Sequence, residues 1–206
     1  MADQETPQIY LISPKTIELS RFSEDLAQIL DSEAIACFRL ALAADDADDI
    51  GRAADVLREV CHQRDVAITV NDHISLAERL GLDGVHLNDG PHRVRAARKT
   101  LGGDAIVGSY CGDSRHSGMS AGEAGADYVA FGPVGETGLD TSPLAAPELF
   151  GWWSQVIEIP IVAEGGLNTA LVTQLAPFTD FFGIGPEIWR HDSPLAALRE
   201  LTKAIG

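Results

Sequence analysis

Short apolar runs rich in β-branched residues alternate with longer segments of helical spacing along most of the chain. Such short runs, bounded by turn signals, are typical of buried parallel strands. In the segment 45–64, by contrast, Ile50, Ala53 and Leu57 recur at the spacing of one helix face. The pattern predicts strands at 9–13, 34–40, 66–70, 84–87, 105–108, 128–131, 161–163 and 181–185, and helices at 23–30, 45–64, 75–80, 93–101, 114–122, 146–158 and 195–205, with one more helix after Asn168.

Strand and helix alternate eight times at a spacing of about 26 residues, which is close to the minimum for a strand–helix unit. This alternation predicts a single (β/α)8 TIM barrel over residues 1–206, with residues 1–7 as a flexible tail. A doubly wound open sheet is the alternative. The number of strands favours the barrel.

Composition and charge narrow the classes of partner. The 206 residues include 45% hydrophobic residues, and the mean hydropathy of +0.02 suits a soluble protein. The net charge of −16 argues against nucleic acid and anionic membranes as partners. No run of about 18 apolar residues occurs, and the first residues do not resemble a signal peptide, so we expect a cytoplasmic protein. We expect Cys37, Cys61 and Cys111 to be reduced thiols.

The stretch after the seventh predicted strand favours phosphate binding. Gly165 and Gly166 follow the apolar run 161–163, and Asn168 stands at a helix N-cap position. Backbone N–H groups in such a loop suit a phosphate, and in barrels the loops after strands seven and eight often form a phosphate site. Gly185, after the eighth strand, belongs to the same prediction. The alternative is a tight turn that binds nothing.

Three charged residues follow other predicted strands and a fourth lies near the end of one, and all four would share the same face of the barrel. Asp72 and Asp89 follow neighbouring strands, and two carboxylates with substrate phosphate oxygens are a usual way to hold Mg²⁺. The alternatives are a helix cap for Asp72 and a turn for Asp89. Arg39 lies in an apolar run, where a charge needs a ligand or an ion-pair partner. Lys15 follows the first strand, either as a cation of the site or as a solvated loop residue.

Several motifs occur in an order that resembles the thiamine phosphate synthase/TenI family over nearly the whole chain. They are Val70-Asn71-Asp72, Asp83-Gly84-Val85-His86-Leu87, Gly125-Ala126-Asp127-Tyr128-Val129, Phe131-Gly132-Pro133 and Gly165-Gly166. The resemblance implies a (β/α)8 barrel in which Mg²⁺ assists the departure of pyrophosphate from a pyrimidine diphosphate and a thiazole phosphate captures the resulting cation. It also implies that Arg39, Asn71, Asp72 and Thr137 bind these substrates, with Gly165-Gly166 on the thiazole phosphate.

The chain departs from the family pattern at several of these positions. The synthases' Gln-x-Arg-x-Lys pattern on strand two becomes Cys37 to Ala41, a family lysine after strand six becomes Asp140, and Glu164 precedes the glycines. Pro133 fills the position of the TenI catalytic histidine. Two alternatives therefore accompany the synthase hypothesis. One is a non-catalytic paralogue that binds thiamine-related phosphates, and the other is an isomerase that uses Glu164 or His73 as a base.

The run Phe150-Gly151-Trp152-Trp153 offers a second kind of partner. Either it lies on an outer helix face that pairs with another copy of the chain to form a homodimer, or it packs on the barrel.

Overall fold

The computed structural model of the chain describes residues 6–43, 46–138 and 142–205, and in it eight parallel strands close a barrel in sequential order. Each strand pairs in parallel with the next, and the first pairs with the last. The (β/α)8 prediction is confirmed. The strands are β1 (Gln8–Ile12), β2 (Ile35–Leu40), β3 (Ala67–Asn71), β4 (Gly84–Leu87), β5 (Ile106–Tyr110), β6 (Tyr128–Phe131), β7 (Ile161–Glu164) and β8 (Phe181–Ile184).

Helices follow the strands and cover the outside of the barrel. They are α1 (Leu19–Ser32), α2 (Ala47–His62), α3 (Ile74–Leu80), α4 (Val94–Leu101), α5 (Arg115–Ala124), α6 (Pro147–Val156), α7 (Thr169–Leu175), α8 (Pro186–Trp189) and α9 (Pro194–Thr202), with 3-10 turns at Gly90–Arg93 and Ala176–Phe178.

Most predicted element boundaries agree with the structure to within a few residues, and the exceptions have local causes. The first helix begins at Leu19 rather than at 23, because the Glu18 carboxylate accepts hydrogen bonds from the backbone N–H groups of Ser20 and Arg21 and so caps an earlier turn. The predicted start of α2, Asp45, lies outside the described residues. The short helix α8 was not predicted, since Gly185 and Pro186 indicate a turn.

The predicted caps of two other helices are confirmed. The Ser114 side chain accepts a hydrogen bond from Ser117 N, and the Asn168 side chain accepts one from Leu171 N. Each therefore satisfies a backbone donor that the helix itself leaves free.

The run that suggested a dimer packs on the barrel. Phe150 and Trp153 on α6 are buried, and their rings meet Phe131 of β6 edge to face, with ring centroids 6.0 and 5.0 Å apart. Trp153 Nε1 donates a hydrogen bond to the Ile159 carbonyl over 2.8 Å. The half-buried Trp152 lies under the Arg115 guanidinium, 4.7 Å from its centre.

The short helix α8 contacts the end of β1, the strand that pairs with β8 to close the barrel. Trp189 Nε1 donates a hydrogen bond to the Ile12 carbonyl over 2.6 Å, and the Trp189 ring packs on Phe22. This fixes the segment after β8 against the end of β1.

No helix in the three described ranges is long and apolar enough to cross a membrane. The three cysteines are free and buried, which confirms the thiol prediction.

Two helical glycines give opposite predictions for stability. A Cβ at Gly118 of α5 would lie 2.7 to 2.8 Å from ring atoms of Trp153 and Phe131, whereas one at Gly151 of α6 would meet nothing within 4 Å. Gly118→Ala should therefore lower the free energy of unfolding by about 1–3 kcal/mol through overpacking. Gly151→Ala, the matched control, should raise it by about 0.5–1 kcal/mol because alanine favours the helix. Urea unfolding measures both, and equal effects would contradict the packing of α5 on α6.

Candidate active site

An ion pair spans the mouth of the barrel. Arg39, near the end of β2, and Glu164, at the end of β7, form a two-pronged contact, with Nη2 donating to Oε1 over 3.1 Å and Nη1 lying 3.0 Å from Oε2. Their side chains are only 6% and 12% exposed. An arginine in an apolar run was expected to bind a ligand or to have an ion-pair partner. Arg39 has the ion-pair partner.

The neighbouring strands leave room for this pair and add to it. A Cβ at Gly183 on β8 would lie 2.8 Å from Glu164 Cβ, so a glycine there lets the acid lie across the barrel. The Tyr10 ring centroid is 5.6 Å from the Arg39 guanidinium carbon. Burial opposes the positive charge, but the Glu164 carboxylate holds the pKa of Arg39 above its ordinary value.

A hydrogen-bonded polar chain lies in the barrel interior next to the pair. The Tyr10 hydroxyl meets the Thr69 hydroxyl at 3.0 Å and the Tyr128 hydroxyl at 2.5 Å, and Tyr128 meets His86 Nδ1 at 2.8 Å. Burial raises the pKa of both tyrosines. Burial and the nearby Arg39 lower the pKa of His86 well below its usual value. These side chains therefore stay neutral, and Arg39 and Glu164 are the charges that face each other there.

Asp72 and Asp89 are brought together, as expected, but a cation of the chain joins them. Arg93 Nε donates to Asp89 Oδ2 over 2.7 Å, and Arg93 Nη2 contacts Asp72 Oδ1. Asp72 Oδ2 also accepts a hydrogen bond from Asn88 Nδ2 over 2.6 Å. Hydrogen bonds to Asp89 and the nearby charge of Asp72 raise the pKa of Arg93. One cation can therefore touch both carboxylates at once.

The structure contradicts the alternative role for Asp72 but agrees with the one for Asp89. His73, not Asp72, is the N-cap of α3, and no side chain caps that helix. Asp72 has a positive φ of 60°, an uncommon conformation for a residue other than glycine, while its carboxylate reaches across to β4. Asp89 lies in the bend between β4 and the 3-10 turn, directly before Gly90, whose φ is 67°, so the predicted Asn-Asp-Gly turn is present.

The donor chemistry at Asp72 and Asp89 fits a hard divalent cation. Asp89 Oδ1 is buried and accepts no hydrogen bond from any described residue, so it remains open to a cation. Within the described ranges, no group of three or more His, Cys, Asp or Glu side chains is arranged to hold a metal. An ion there would depend on ligand oxygens as well, which is usual for Mg²⁺.

The backbone donors of the predicted phosphate loops are held by a carboxylate of the chain. Glu187, in α8, is 7% exposed, and its Oε1 accepts hydrogen bonds from Gly166 N over 2.8 Å and Leu167 N over 3.2 Å. Its Oε2 accepts one from Gly185 N over 2.9 Å. The loops after β7 and β8 therefore form an anion-binding cradle, defined here as these three N–H groups.

The glycines of this loop are also required by the backbone. Gly165 and Gly166 have φ values of 83° and 74°, in the left-handed region. A Cβ on Gly166 would lie 2.5 Å from the Gly135 backbone. Glycine is therefore needed here whether or not a phosphate binds, because the loop after β6 packs on it.

The remaining predicted site residues lie around the same rim. Lys15 is exposed after β1, and its carbonyl accepts a hydrogen bond from Ala43 N. Asn71 Oδ1 is buried and accepts no hydrogen bond from the part of the chain that the structure describes. Thr137 is exposed, and its methyl group lies 3.7 Å from where a Gly165 Cβ would be. Asp140 lies outside the described residues.

A cavity of about 570 Å³ lies next to the cradle and is large enough for a small ligand. Leu167, Glu187, Arg190 and His191 are among the residues that line it. It therefore brings Arg190 and His191 near three acidic side chains, those of Glu187, Asp192 and Glu200, at the edge of the loops after β7 and β8.

Sequence reasoning missed two residues of this site. Arg93 is predicted only as the first residue of the helix 93–101, although its position four residues after Asp89 was an available signal. Glu187 has no predicted role. Its contact with backbone N–H groups leaves no pattern in the sequence.

A family model and the relatives found by sequence agree on one family. The family model described as thiamine monophosphate synthase matches residues 9–179. A thiamine-phosphate synthase of Rhodospirillum centenum is 40% identical over 96% of this chain and 97% of its own length. One of Erythrobacter litoralis is 39% identical over 95% of each chain. A thiamine phosphate pyrophosphorylase structure from Pyrococcus furiosus has a TM-score of 0.83 at 20% identity, over 98% of this chain and 96% of that one, and supports the fold.

The buried ion pair gives a stability prediction. Glu164→Ala should lower the free energy of unfolding by about 3–5 kcal/mol, because Arg39 would be left buried without its partner. The double variant Arg39→Met, Glu164→Leu should recover most of that loss, since no buried charge remains. Urea unfolding of the ligand-free protein measures both. A single variant as stable as the wild type would show that Glu164 does not hold Arg39.

Proposed function

Because the chain belongs to the thiamine monophosphate synthase family, we propose that it joins hydroxymethylpyrimidine diphosphate to thiazole phosphate, giving thiamine phosphate and pyrophosphate. Relatives that carry the name thiamine-phosphate synthase match it over nearly the full length of both chains. One structural observation carries the proposal. The Arg93 guanidinium contacts both Asp72 and Asp89 at the barrel mouth, so these two carboxylates lie close enough to share a cation.

The reaction exchanges one bond for another. The bond between the pyrimidine methylene carbon and the diphosphate oxygen breaks, and pyrophosphate leaves with the electron pair. The lone pair of the thiazole nitrogen then forms the new carbon–nitrogen bond. The rate depends on positive charge near the leaving oxygens, because negative charge develops there.

The chain's own cations take this role in the proposal. Arg39 binds the diphosphate after Glu164 gives up its two contacts with the guanidinium, and Lys15 approaches from the end of β1. Asn71 accepts a hydrogen bond from the pyrimidine substrate with its buried, unpartnered oxygen. The aminopyrimidine family of ligands offers N–H donors that suit such an acceptor.

Magnesium completes the proposed diphosphate site. Asp72 and Asp89 would hold the ion in place of the contacts they make with Arg93. When bound, Mg²⁺ neutralises charge on the diphosphate. The net charge of −16 makes such local cations necessary, since the protein's long-range field repels a polyanion.

Gly165, Gly166, Gly185 and Thr137 bind the thiazole phosphate in this proposal, through the loops that form the cradle. The isomerase alternative is less well supported, because both Glu164 oxygens face the Arg39 guanidinium rather than a site for substrate. The proposal also includes a cytoplasmic location and a homodimer. A dimer through α6 would have to use the exposed part of Trp152.

Release of pyrophosphate tests the proposed activity. The purified protein should release pyrophosphate from the pyrimidine diphosphate when thiazole phosphate is supplied. Lys15→Ala should lower kcat at least tenfold, whereas Lys99→Ala, on the exposed side of α4, should leave it unchanged. Ala41→Lys, which restores a family lysine, should raise it. A wild type that binds thiazole phosphate without turnover would replace the transferase proposal with the binding-protein alternative.

Calorimetry with the pyrimidine diphosphate tests the metal. Binding should require Mg²⁺, and Asp72→Asn should weaken it at least tenfold, which corresponds to roughly 1.4 kcal/mol. Asp104→Asn, away from the barrel mouth, serves as the charge-matched control. Equal affinities in EDTA and in excess Mg²⁺ would remove the metal from the proposal.

A further inference from the structure

The carboxylate of Glu187 is bound in the way an anionic ligand would be. Three backbone N–H groups, from Gly166, Leu167 and Gly185, converge on its two oxygens at 2.8 to 3.2 Å. These donors come from two loops that are separated in sequence but adjacent at the end of the barrel. Such convergence of backbone donors on one negative group is the usual form of a protein anion site.

No side-chain cation takes part in this arrangement. Among the described residues, no Lys, Arg or His side chain lies within ion-pair distance of the Glu187 carboxylate, which is 7% exposed. A buried carboxylate without a cation is costly unless hydrogen bonds satisfy it. The cradle therefore stabilises a negative charge through backbone donors alone.

We propose that Glu187 is an internal counter-anion that competes with the phosphate of the acceptor for the cradle and so sets the protein's affinity for phosphorylated acceptors. The inference rests on the proposed function for the identity of that acceptor. Glu187 is thus a specificity-determining residue: it lowers affinity for a phosphorylated ligand, which must displace it.

Occupancy of the cradle is exclusive for two reasons. Each backbone N–H is a single donor, so three of them satisfy either the carboxylate or a phosphate. The two anions also repel each other strongly at such short range in a buried site. A phosphate therefore binds only when Glu187 leaves the cradle.

The surroundings offer the displaced side chain a destination. The cavity of about 570 Å³ is bordered by Leu167 and Glu187, and Arg190 and His191 line it as well. Arg190 is exposed and makes no ion pair with a described residue. A Glu187 side chain that turns away from the cradle would enter this open cavity, where Asp192 and Glu200 also lie, so water and Arg190 would offset its charge.

Calorimetry with thiazole phosphate and with inorganic phosphate measures the competition. Glu187→Ala should bind each at least tenfold more tightly than the wild type. The affinity of Glu187→Gln should lie between those of the wild type and Glu187→Ala. Its amide NH₂ would face one of the N–H donors, so it occupies the cradle less well than the carboxylate does. Glu200→Gln lines the same cavity and removes one charge without touching the cradle, so it should bind as the wild type does.

A second measurement covers the case in which Glu187→Ala is unstable. Phosphate should raise the melting temperature of Glu187→Ala in a concentration-dependent way, since a ligand that binds only the folded state stabilises it. The same phosphate should shift the wild type much less. If phosphate shifts neither protein, or shifts both equally, Glu187 is a structural residue and the inference is wrong.

Kinetics separates this inference from the proposed function. In an active enzyme, Glu187→Ala should lower the KM for thiazole phosphate at least tenfold with kcat changed little. If the wild type lacks transferase activity and Glu187→Ala still gains phosphate affinity, the inference stands while the function fails. If the wild type is active and the two proteins have the same affinity for thiazole phosphate, the inference alone is overturned.

Discussion

The buried contact between Arg39 and Glu164 is the interaction on which the site depends. It joins β2 to β7 across the mouth of the barrel, between residues 125 positions apart in sequence. A charge in this interior must be paired, because desolvation costs several kcal/mol for each ion. The polar chain beside it stays neutral, so among the described residues neither Arg39 nor Glu164 has another charged partner in that layer. A substrate anion that binds Arg39 must therefore replace Glu164, and the cost of separating the pair enters its affinity.

The same principle recurs at the other two parts of the site. Arg93 contacts the carboxylates of Asp72 and Asp89, and Glu187 holds the backbone donors of the cradle. Groups that suit a diphosphate, a metal and a phosphate are thus each neutralised by a residue of the chain. Binding of polyanionic substrates then becomes an exchange of internal partners for external ones, rather than the filling of open sites.

The barrel could be predicted from the sequence because its signal is local and repeated. Strands, turns and caps such as Asn168 each follow from a few neighbouring residues. The strand ends that carry Asp72 and Asp89 could also be placed, since a barrel brings all strand ends to one face. The partners could not be predicted. Glu164 meets Arg39 only through the closed topology, and Glu187 recognises backbone N–H groups that no residue type reveals. The short helix α8 could not be predicted either, because Gly185-Pro186 at its start indicates a turn.

A crystal structure of the ligand-free protein, followed by one with thiazole phosphate, tests the central claim most directly. The account predicts that, without ligand, Glu187 lies within hydrogen-bond distance of Gly166 N and Gly185 N, and that Glu164 lies against Arg39. With ligand, the phosphate should take the cradle and Glu187 should turn towards Arg190. A ligand-free structure in which water or a buffer anion occupies the cradle, with Glu187 in solvent, would contradict it.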